Sequence, residues 1–299
     1  MMKMLLVFMV IASLFSLPVT AQVRDSLTRA GLSEISQVNQ GNSYVTFPAD
    51  IGNIEPLWFE ANIIPNFYIR QSKNSRLIGV LTPQIMLRMY QEESFPVRTP
   101  GYLPQITMYY LLKEKEDAGL LSIFGRFAHH SNGQDGSFFD DDGRINLESG
   151  NFSTNFLEFG FIATNINTRL NAVQFFKSSF EFHPQAWNVG ELNGLYHNYR
   201  WHNALSIFKL PVKNRIYPRK NADISLKGEA TWMFGNPDSR EGYPFDRLNL
   251  RLTFYYHPAF LEDIGLFVQY YHGSDYYNIY FENRLDVLRF GLMTEKLRF

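Results

Sequence analysis

Apolar and polar residues alternate strictly in the segment 247–257, and this alternation constrains the fold more than any other feature of the sequence. The even positions are apolar, namely Leu248, Leu250, Leu252, Phe254 and Tyr256. The odd positions are mostly polar, namely Arg247, Asn249, Arg251, Thr253, Tyr255 and His257. Successive side chains of a β-strand point to opposite faces, so a period of two predicts a strand with one apolar and one polar face.

Eleven further segments have a strand-like composition, and turn-forming residues separate them. With 247–257 they form a series near 42–47, 57–70, 76–90, 103–114, 119–131, 153–166, 171–184, 197–210, 222–234, 264–274 and 285–299. An even strand number is typical of single-chain bacterial barrels, in which lipid-facing and lumen-facing side chains alternate. The sequence therefore predicts an all-β fold, a single transmembrane antiparallel β-barrel of about twelve strands over residues 42–299.

The first 21 residues predict export of the chain. Met1–Lys3 provides a positive start, Met4–Leu17 a nearly continuous apolar run, and Val19–Ala21 a small-residue cleavage site. This arrangement is typical of a secretory signal peptide. The apolar run is shorter than the roughly 20 residues that a membrane-spanning helix needs. We therefore expect cleavage after Ala21, followed by a polar N-terminal extension over residues 22–41.

The composition supports a barrel and excludes several other classes of protein. Aromatic residues make up 16% of the chain, while the mean hydropathy is only −0.21, a combination typical of strands with one lipid-facing side. The chain has no cysteine, which excludes disulfides and thiolate chemistry. Its net charge of −1 provides no basic surface for nucleic acid. The last predicted strand ends in the aromatic Phe299, which, with the signal peptide, predicts the bacterial outer membrane.

Three polar residues fall on lipid-facing positions of two consecutive strands. In 119–131 and 153–166 the odd positions are mainly apolar, yet His129, Ser131 and Asn155 share that parity. A serine hydroxyl attacks an ester only when a neighbouring base accepts its proton, and residues two apart on a strand share a face. An asparagine amide oxygen can fix the tautomer of the imidazole. The pattern indicates acyl transfer at the outer wall; the alternative is a histidine among polar residues at the barrel rim.

Residues 129–133, with the sequence His-His-Ser-Asn-Gly, resemble the His-x-Ser-Asn-Gly motif of outer-membrane phospholipase A. Residues 153–155, Ser-Thr-Asn, are similar to the downstream Ser-x-Asn motif of that family. Residues 92–98, residues 102–105 and the tail from Gly273 to Phe299 also resemble the family in order and layout. The similar segments together touch most of residues 85–299.

The resemblance implies a twelve-stranded barrel that hydrolyses phospholipid acyl esters, with phospholipase A1/A2 activity, and that requires calcium and is activated by dimerisation. It implies the catalytic residues Ser131 as nucleophile, His129 as general base and Asn155 as the residue that orients the imidazole. The implied calcium ligands are the main-chain carbonyl of Gln134, the side chain of Asn151 and the carbonyl of the partner subunit's Ser94. Oxygen ligands suit calcium, and the ion would stabilise the oxyanion. The expected partners are membrane phospholipids and a second copy of the chain.

The sequence departs from the pattern of the family between the two motifs. Asn155 follows Ser131 by 24 residues, a longer spacing than that of the family, and Gln134 and Asn151 replace an arginine and a serine. The enlarged loop contains five acidic residues, Asp135, Asp140, Asp141, Asp142 and Glu148. Their spacing does not fit a helix–loop–helix calcium site, so an acidic solvated loop is the simpler interpretation. A loop aspartate is the alternative to Asn151 as a calcium ligand.

Two alternatives to an active phospholipase stay open at this point. One is a passive outer-membrane channel or structural barrel, and the other is a barrel enzyme that is inactive because the enlarged loop misplaces Asn155. Four charged residues are expected to face the lumen and to fill it, namely Arg126, Glu158, Arg200 and Arg251. A filled lumen argues against a general porin.

Overall fold

The computed structural model describes residues 31–70, 75–94, 96–114, 119–167, 169–209, 224–235, 244–258, 260–261 and 263–294. The predicted signal peptide, residues 22–30 of the predicted extension and Phe299 lie outside these ranges. Nearly all of the described regular structure is β-strand. None of the helices within the described ranges is both long and apolar enough to cross a membrane.

Twelve strands within the described ranges form the wall of a closed antiparallel barrel. β1 (Tyr44–Thr46 and Ile51–Gly52) and β2 (Leu57–Ile63 and Phe67–Ile69) each consist of two segments. The others are β3 (Leu77–Tyr90), β4 (Gly101–Glu114), β5 (Leu120–Ser131), β6 (Ser153–Asn167), β7 (Ala172–Phe182), β8 (Tyr199–Lys209), β9 (Ile224–Phe234), β10 (Leu248–Tyr256), β11 (Ile264–Ser274) and β12 (Arg284–Thr294). Each strand pairs with the next, and β12 pairs with β1 and closes the barrel. The predicted all-β, twelve-stranded antiparallel barrel is confirmed.

A proline explains the interruption in β2. Ile63 pairs with Ile85 and Phe67 pairs with Leu81, so both segments lie in one continuous register along β3. Pro65 lies between the two segments and has no backbone N–H to donate to the ladder. The hydrogen bonding therefore stops locally while the register of the wall continues.

The two faces of the wall have the chemistry that the alternation predicts. On β10, Leu252 is 52% exposed on the outer face, whereas its neighbour Thr253 is 1% exposed on the lumenal face. Leu250 and Phe254 are exposed on the same outer face as Leu252. A wall with exposed apolar side chains outside and buried polar side chains inside is typical of a barrel surrounded by lipid.

Charged side chains fill the lumen and pair across the strands. All four predicted lumenal residues take part, in the ion pairs Arg126–Glu158 (2.9 Å), Arg200–Glu181 (3.1 Å) and Arg251–Glu229 (3.8 Å). Lys177 makes a further contact of 2.7 Å with Glu158. A buried charge is tolerated only where it is paired, so these contacts are what allows charged residues to occupy the interior.

A short helix, α1 (Leu32–Gln40), packs inside the lumen, within the extension for which the sequence predicts only polar character. Ile35 of α1 is fully buried in a cluster with wall residues that include Tyr109. Asn39 Nδ2 donates a hydrogen bond of 2.8 Å to the Tyr109 hydroxyl, and Gln40 is also held by side chains of the wall. A nine-residue helix is marginal by itself, so packing in the lumen stabilises it.

Loops cover the mouth of the barrel at the other end. The loops at 132–152, 183–198 and 275–283 share one buried apolar cluster, here named the loop cap. Its residues are Leu57, Tyr90, Phe138, Phe152, Leu192, Tyr196, Tyr277, Ile279, Tyr280 and Phe281. α1 therefore lies in the lumen toward one end of the barrel, and the loop cap lies across the other end.

Candidate active site

The register between β5 and β6 brings two of the candidate residues together. The strands pair without a break over residues 121–131 of β5, and within this ladder His129 lies directly opposite Asn155. Opposed Cβ atoms of an antiparallel pair are about 5 Å apart. The contact between the imidazole and the amide therefore follows from strand pairing and does not depend on the length of the loop between the strands.

All three catalytic candidates lie on the outer face of the wall. Phe127, which is 43% exposed, has the same parity as His129 and Ser131, whereas Ala128 is fully buried on the lumenal side. Asn155 shares the outer face because directly opposed residues of an antiparallel pair point to the same side. All three are half-buried. Their location at the end of the strands next to the loop cap places them at the rim of the outer wall.

The His129 ring makes a hydrogen bond with the Asn155 side chain, with 3.0 Å between Nδ1 and Oδ1. An amide oxygen can only accept, so His129 Nδ1 carries the proton and Nε2 is left as an acceptor. Asn155 Nδ2 donates a second hydrogen bond, of 2.8 Å, to the main-chain carbonyl of Trp187. The arrangement supplies a proton acceptor on the outer face of the wall, among exposed apolar side chains.

Ser131 lies two residues beyond His129 on the same face of β5. Alternate residues of a strand have Cα atoms about 7 Å apart, a separation that an imidazole side chain can span. Within the described chain no hydrogen bond joins the Ser131 hydroxyl to the His129 ring. Catalytic hydrogen bonds are often long before substrate binds and shorten in the reacting complex.

Two further residues of the motif shape the loop that follows Ser131. Asn132 is fully buried; its Nδ2 donates to the Gly150 carbonyl (2.7 Å), and its Oδ1 accepts from the Phe152 amide (3.0 Å). These bonds close the neck of the 132–152 loop. Gly133 has a φ of +67°, and a Cβ there would lie 3.0 Å from the ring of Tyr102, so a larger residue would be strained.

The acidic part of the enlarged loop forms an exposed hairpin. The Asp140 amide donates to the Arg144 carbonyl (2.8 Å), and the Asp140 carboxylate accepts from the amides of Asp142 and Arg144. The Arg144 guanidinium also pairs with both aspartates. These contacts agree with an acidic solvated loop. Because the neck is closed below the hairpin, the extra length leaves His129 and Asn155 in register.

The proposed calcium positions fall in two separate loops. Gln134 and Asn151 lie in the two adjacent segments of the neck, which a bridge between Gly136 and Gly150 joins. Among the described residues the Gln134 carbonyl and the Asn151 side chain have no hydrogen-bond partner, so both are available to a cation. Ser94 is exposed in the 91–100 loop, and no contact of the described chain joins it to them.

The chemistry of these donors fits calcium. In the described ranges no three imidazole or carboxylate side chains form a metal-binding group. The candidate donors are carbonyl and amide oxygens, which suit a hard cation such as calcium and not a transition metal. One chain provides two such oxygens at the neck, and calcium takes six to eight. A calcium ion bound at the neck would therefore need further oxygens from water, substrate or a second chain.

Trp187 is the contact of the site that the sequence did not predict. Its main-chain carbonyl contacts Asn155. Because every residue type has such a carbonyl, the identity of the residue at position 187 does not predict this contact. Its ring packs edge-on against Phe127, with 6.2 Å between the centroids. The path of the 183–198 loop over the rim determines where this carbonyl lies.

Comparisons with known proteins identify the fold. No protein-family model matches the sequence, and no curated protein sequence matches it. The barrel has the fold of outer membrane phospholipase A. Outer membrane phospholipase A from Escherichia coli superposes with a TM-score of 0.56 at 14% sequence identity, covering 92% of this chain and 94% of that one. The calcium-bound dimer of the Salmonella typhi outer membrane phospholipase gives the same TM-score and coverage at 13% identity. The likeness to outer membrane phospholipase A extends over nearly the whole barrel.

Proposed function

We propose that the protein is a calcium-dependent phospholipase A1/A2 of the bacterial outer membrane, with Ser131, His129 and Asn155 as its catalytic residues. The observation that carries the proposal is the 3.0 Å contact between His129 Nδ1 and Asn155 Oδ1 on the outer face of the barrel. An enzyme for soluble substrates has its site in a cleft or lumen, whereas bilayer lipid meets the outer wall. The likeness to phospholipase barrels supports an ester of lipid as the substrate.

The residues present provide the nucleophile, the base and the orienting group of a two-step acyl transfer. Ser131 Oγ attacks the ester carbonyl carbon while its proton passes to His129 Nε2. Collapse of the tetrahedral species breaks the ester bond, and the leaving lysophospholipid oxygen takes the proton from His129. Water then attacks the acyl-serine with His129 again accepting a proton, which releases the fatty acid and restores Ser131. Asn155 holds the imidazole in the tautomer that both steps need.

Calcium would be held by the Gln134 carbonyl and the Asn151 side chain, with the carbonyl of the partner subunit's Ser94 as a further ligand. When bound, the ion supplies Lewis-acid stabilisation of the negative charge on the former carbonyl oxygen. Two oxygens without protein partners at the neck support this assignment.

The filled barrel supports an enzyme and not a passive channel. α1 occupies the lumen toward one end, and the loop cap covers the other mouth. Paired charged side chains occupy the space between them. A channel needs a continuous aqueous path, and this arrangement of the described residues obstructs one.

Removal of calcium is expected to abolish hydrolysis. Purified protein in detergent, given a phospholipid with a fluorescent acyl chain, should release the labelled fatty acid in the presence of calcium. Release should stop on addition of a chelator and resume with excess calcium, because the oxyanion loses its stabilisation without the ion. Release that continues at full rate in the chelator would exclude the calcium role. A protein without any release under either condition would contradict the phospholipase proposal itself.

We also propose that the active form is a homodimer, since the calcium ligands of one chain are incomplete. The rate per molecule should then rise with the amount of protein per lipid in vesicles. A sharper test adds the inactive Ser131→Ala protein to dilute wild-type protein. The added chain carries an intact Ser94 and should increase the wild-type rate. A rate that stays proportional to wild-type protein alone would show that the monomer suffices.

A further inference from the structure

Three consecutive residues of the 183–198 loop, Trp187–Val189, run along the end of β6; this segment is named the clasp. Each clasp residue makes one hydrogen bond to β6: the Trp187 carbonyl accepts from Asn155 Nδ2 (2.8 Å), Asn188 Oδ1 accepts from the Thr154 hydroxyl (2.6 Å), and the Val189 amide donates to the Ser153 carbonyl (2.9 Å). The clasp therefore follows the strand residue by residue, antiparallel to β6 and toward the first residue of that strand, Ser153.

The clasp is fixed on both faces of the wall. On the outer face the Trp187 ring packs edge-on against Phe127. On the lumenal face Thr154 is fully buried, and its hydroxyl also lies 2.8 Å from His183 Nδ1. Contacts on two opposite faces hold the main chain between them, and the Trp187 carbonyl belongs to that main chain. The position of this carbonyl is thus determined in part by Thr154 and Asn188, whose contact lies on the lumenal side and does not touch the outer-face site.

Strand pairing alone does not determine which end of the Asn155 amide faces the imidazole. An amide has an accepting oxygen and a donating nitrogen of nearly the same size. If the nitrogen faced His129, the ring nitrogen Nδ1 would have to accept and the proton would reside on Nε2. The ring could then no longer take a proton from Ser131, as a wrong imidazole tautomer disables a serine hydrolase.

The Trp187 carbonyl distinguishes the two orientations because it can only accept. With Nδ2 toward this carbonyl, both ends of the amide are satisfied. With the amide rotated, two acceptor oxygens would face each other and a hydrogen bond would be lost. We propose that the clasp selects the amide orientation of Asn155, and through it the proton-accepting tautomer of His129. This inference rests on the proposed function and adds Thr154 and Asn188 as positioning residues on the lumenal side.

Thr154→Val tests the proposal because it removes the hydroxyl that holds Asn188 and keeps the branched shape of the side chain. We expect kcat to fall about tenfold, as for a small misplacement of a catalytic group, with KM nearly unchanged because the lipid-facing surface is intact. Thr154→Ser returns the hydroxyl and should restore kcat. Thr164→Val is the matched control, a threonine of the same strand whose hydroxyl accepts from the Leu120 amide (2.9 Å), and it should keep the wild-type kcat.

A double-mutant comparison separates positioning from general loss of structure. In an Asn155→Ala protein the clasp has no amide to orient, so Thr154→Val should cause no further decrease in kcat. A decrease by the same factor in both backgrounds would overturn the proposal, since the hydroxyl would then act independently of Asn155.

The side-chain amide of Asn155 provides a readout that does not need activity. In ¹⁵N-labelled protein its signal is the one that Asn155→Ala removes. We expect this amide to be protected from exchange with solvent in the wild type and to lose that protection in Thr154→Val and in Asn188→Ala. Unchanged protection in both variants would overturn the clasp. An inactive wild type in which protection depends on Thr154 would instead overturn the phospholipase proposal and leave the clasp intact.

Discussion

Ser131→Ala is expected to lower the rate of fatty-acid release by at least about 10³-fold, because loss of a serine nucleophile removes most of the catalysis that such a site provides. The substitution removes one oxygen from an outer-face position and leaves the ladder between β5 and β6 unchanged. His129 and Asn155 should therefore keep their 3.0 Å contact. The measurement is calcium-dependent release from phospholipid in mixed micelles, with unfolding in urea as the check that the barrel is intact.

Ser153 provides the matched control for this experiment. It lies directly opposite Ser131 and shares its outer face, so its hydroxyl is diagonal to His129 and competes for the role of nucleophile. Only its main-chain carbonyl contacts the clasp, so Ser153→Ala should keep a rate close to that of the wild type. If Ser153→Ala is the inactive variant and Ser131→Ala is not, the nucleophile is on β6. If neither variant is impaired, acyl transfer through a serine at this site is excluded.

The alternation of side chains along each strand explains why the sequence predicted the barrel wall and the face of the wall on which His129 and Asn155 meet. A slip of one residue would move every side chain of a strand to the other face, so apolar residues such as Phe127 fix the face of His129 as well. The same logic on β6 fixes the face of Asn155. Two strands consecutive in the chain and of opposite direction pair as neighbours, so residue types and order predicted that His129 and Asn155 share one face of adjacent strands. The register that places them directly opposite each other came from the structure.

The closure of the enlarged loop could not be predicted from the alternation of residues or from their order. The spacing of 24 residues between Ser131 and Asn155 predicts a longer connection, and nothing in the sequence shows that Asn132 closes its neck. The closure uses one buried amide that bonds to main-chain groups 18 and 20 residues further along the chain. Long-range side-chain to main-chain contacts have no local period and no characteristic residue pair.

The lumenal helix and the clasp could not be predicted from the sequence, for a related physical reason. α1 has nine residues, and its polar side chains, such as Asn39, bond to wall residues distant in the chain. Its stability comes from the lumen and not from its own propensity. The Trp187 carbonyl is a main-chain atom, placed by the path of a loop. Structural features that depend on contacts between distant parts of the chain are difficult to predict from the order of residues.

Arg88→Met is expected to reduce the free energy of unfolding by about 3–5 kcal/mol, the usual cost of leaving a buried charge without its partner. The Arg88 side chain is 3% exposed. Its guanidinium bonds to Asp275 through two nitrogens (2.7 and 2.8 Å) and to Glu60 through Nε (2.8 Å). Glu60 keeps a second cation, Arg289 at 2.7 Å, whereas Asp275 has no other ion pair among the described residues. Urea unfolding from lipid vesicles, followed by tryptophan fluorescence, measures the change.

Adding Asp275→Asn to Arg88→Met identifies the charge that causes the loss. The double variant removes the unpaired carboxylate and keeps an oxygen that accepts from the Tyr277 amide, as Asp275 does at 3.0 Å. It should be destabilised by about 1–3 kcal/mol less than the sum of the two single variants. Because Asp275 begins the 275–283 loop, this pair ties the loop cap to β3 across the lumen. Strict additivity would place the loss in the packing of Arg88 against Tyr277 (4.3 Å to the ring centre) and not in the charge pair.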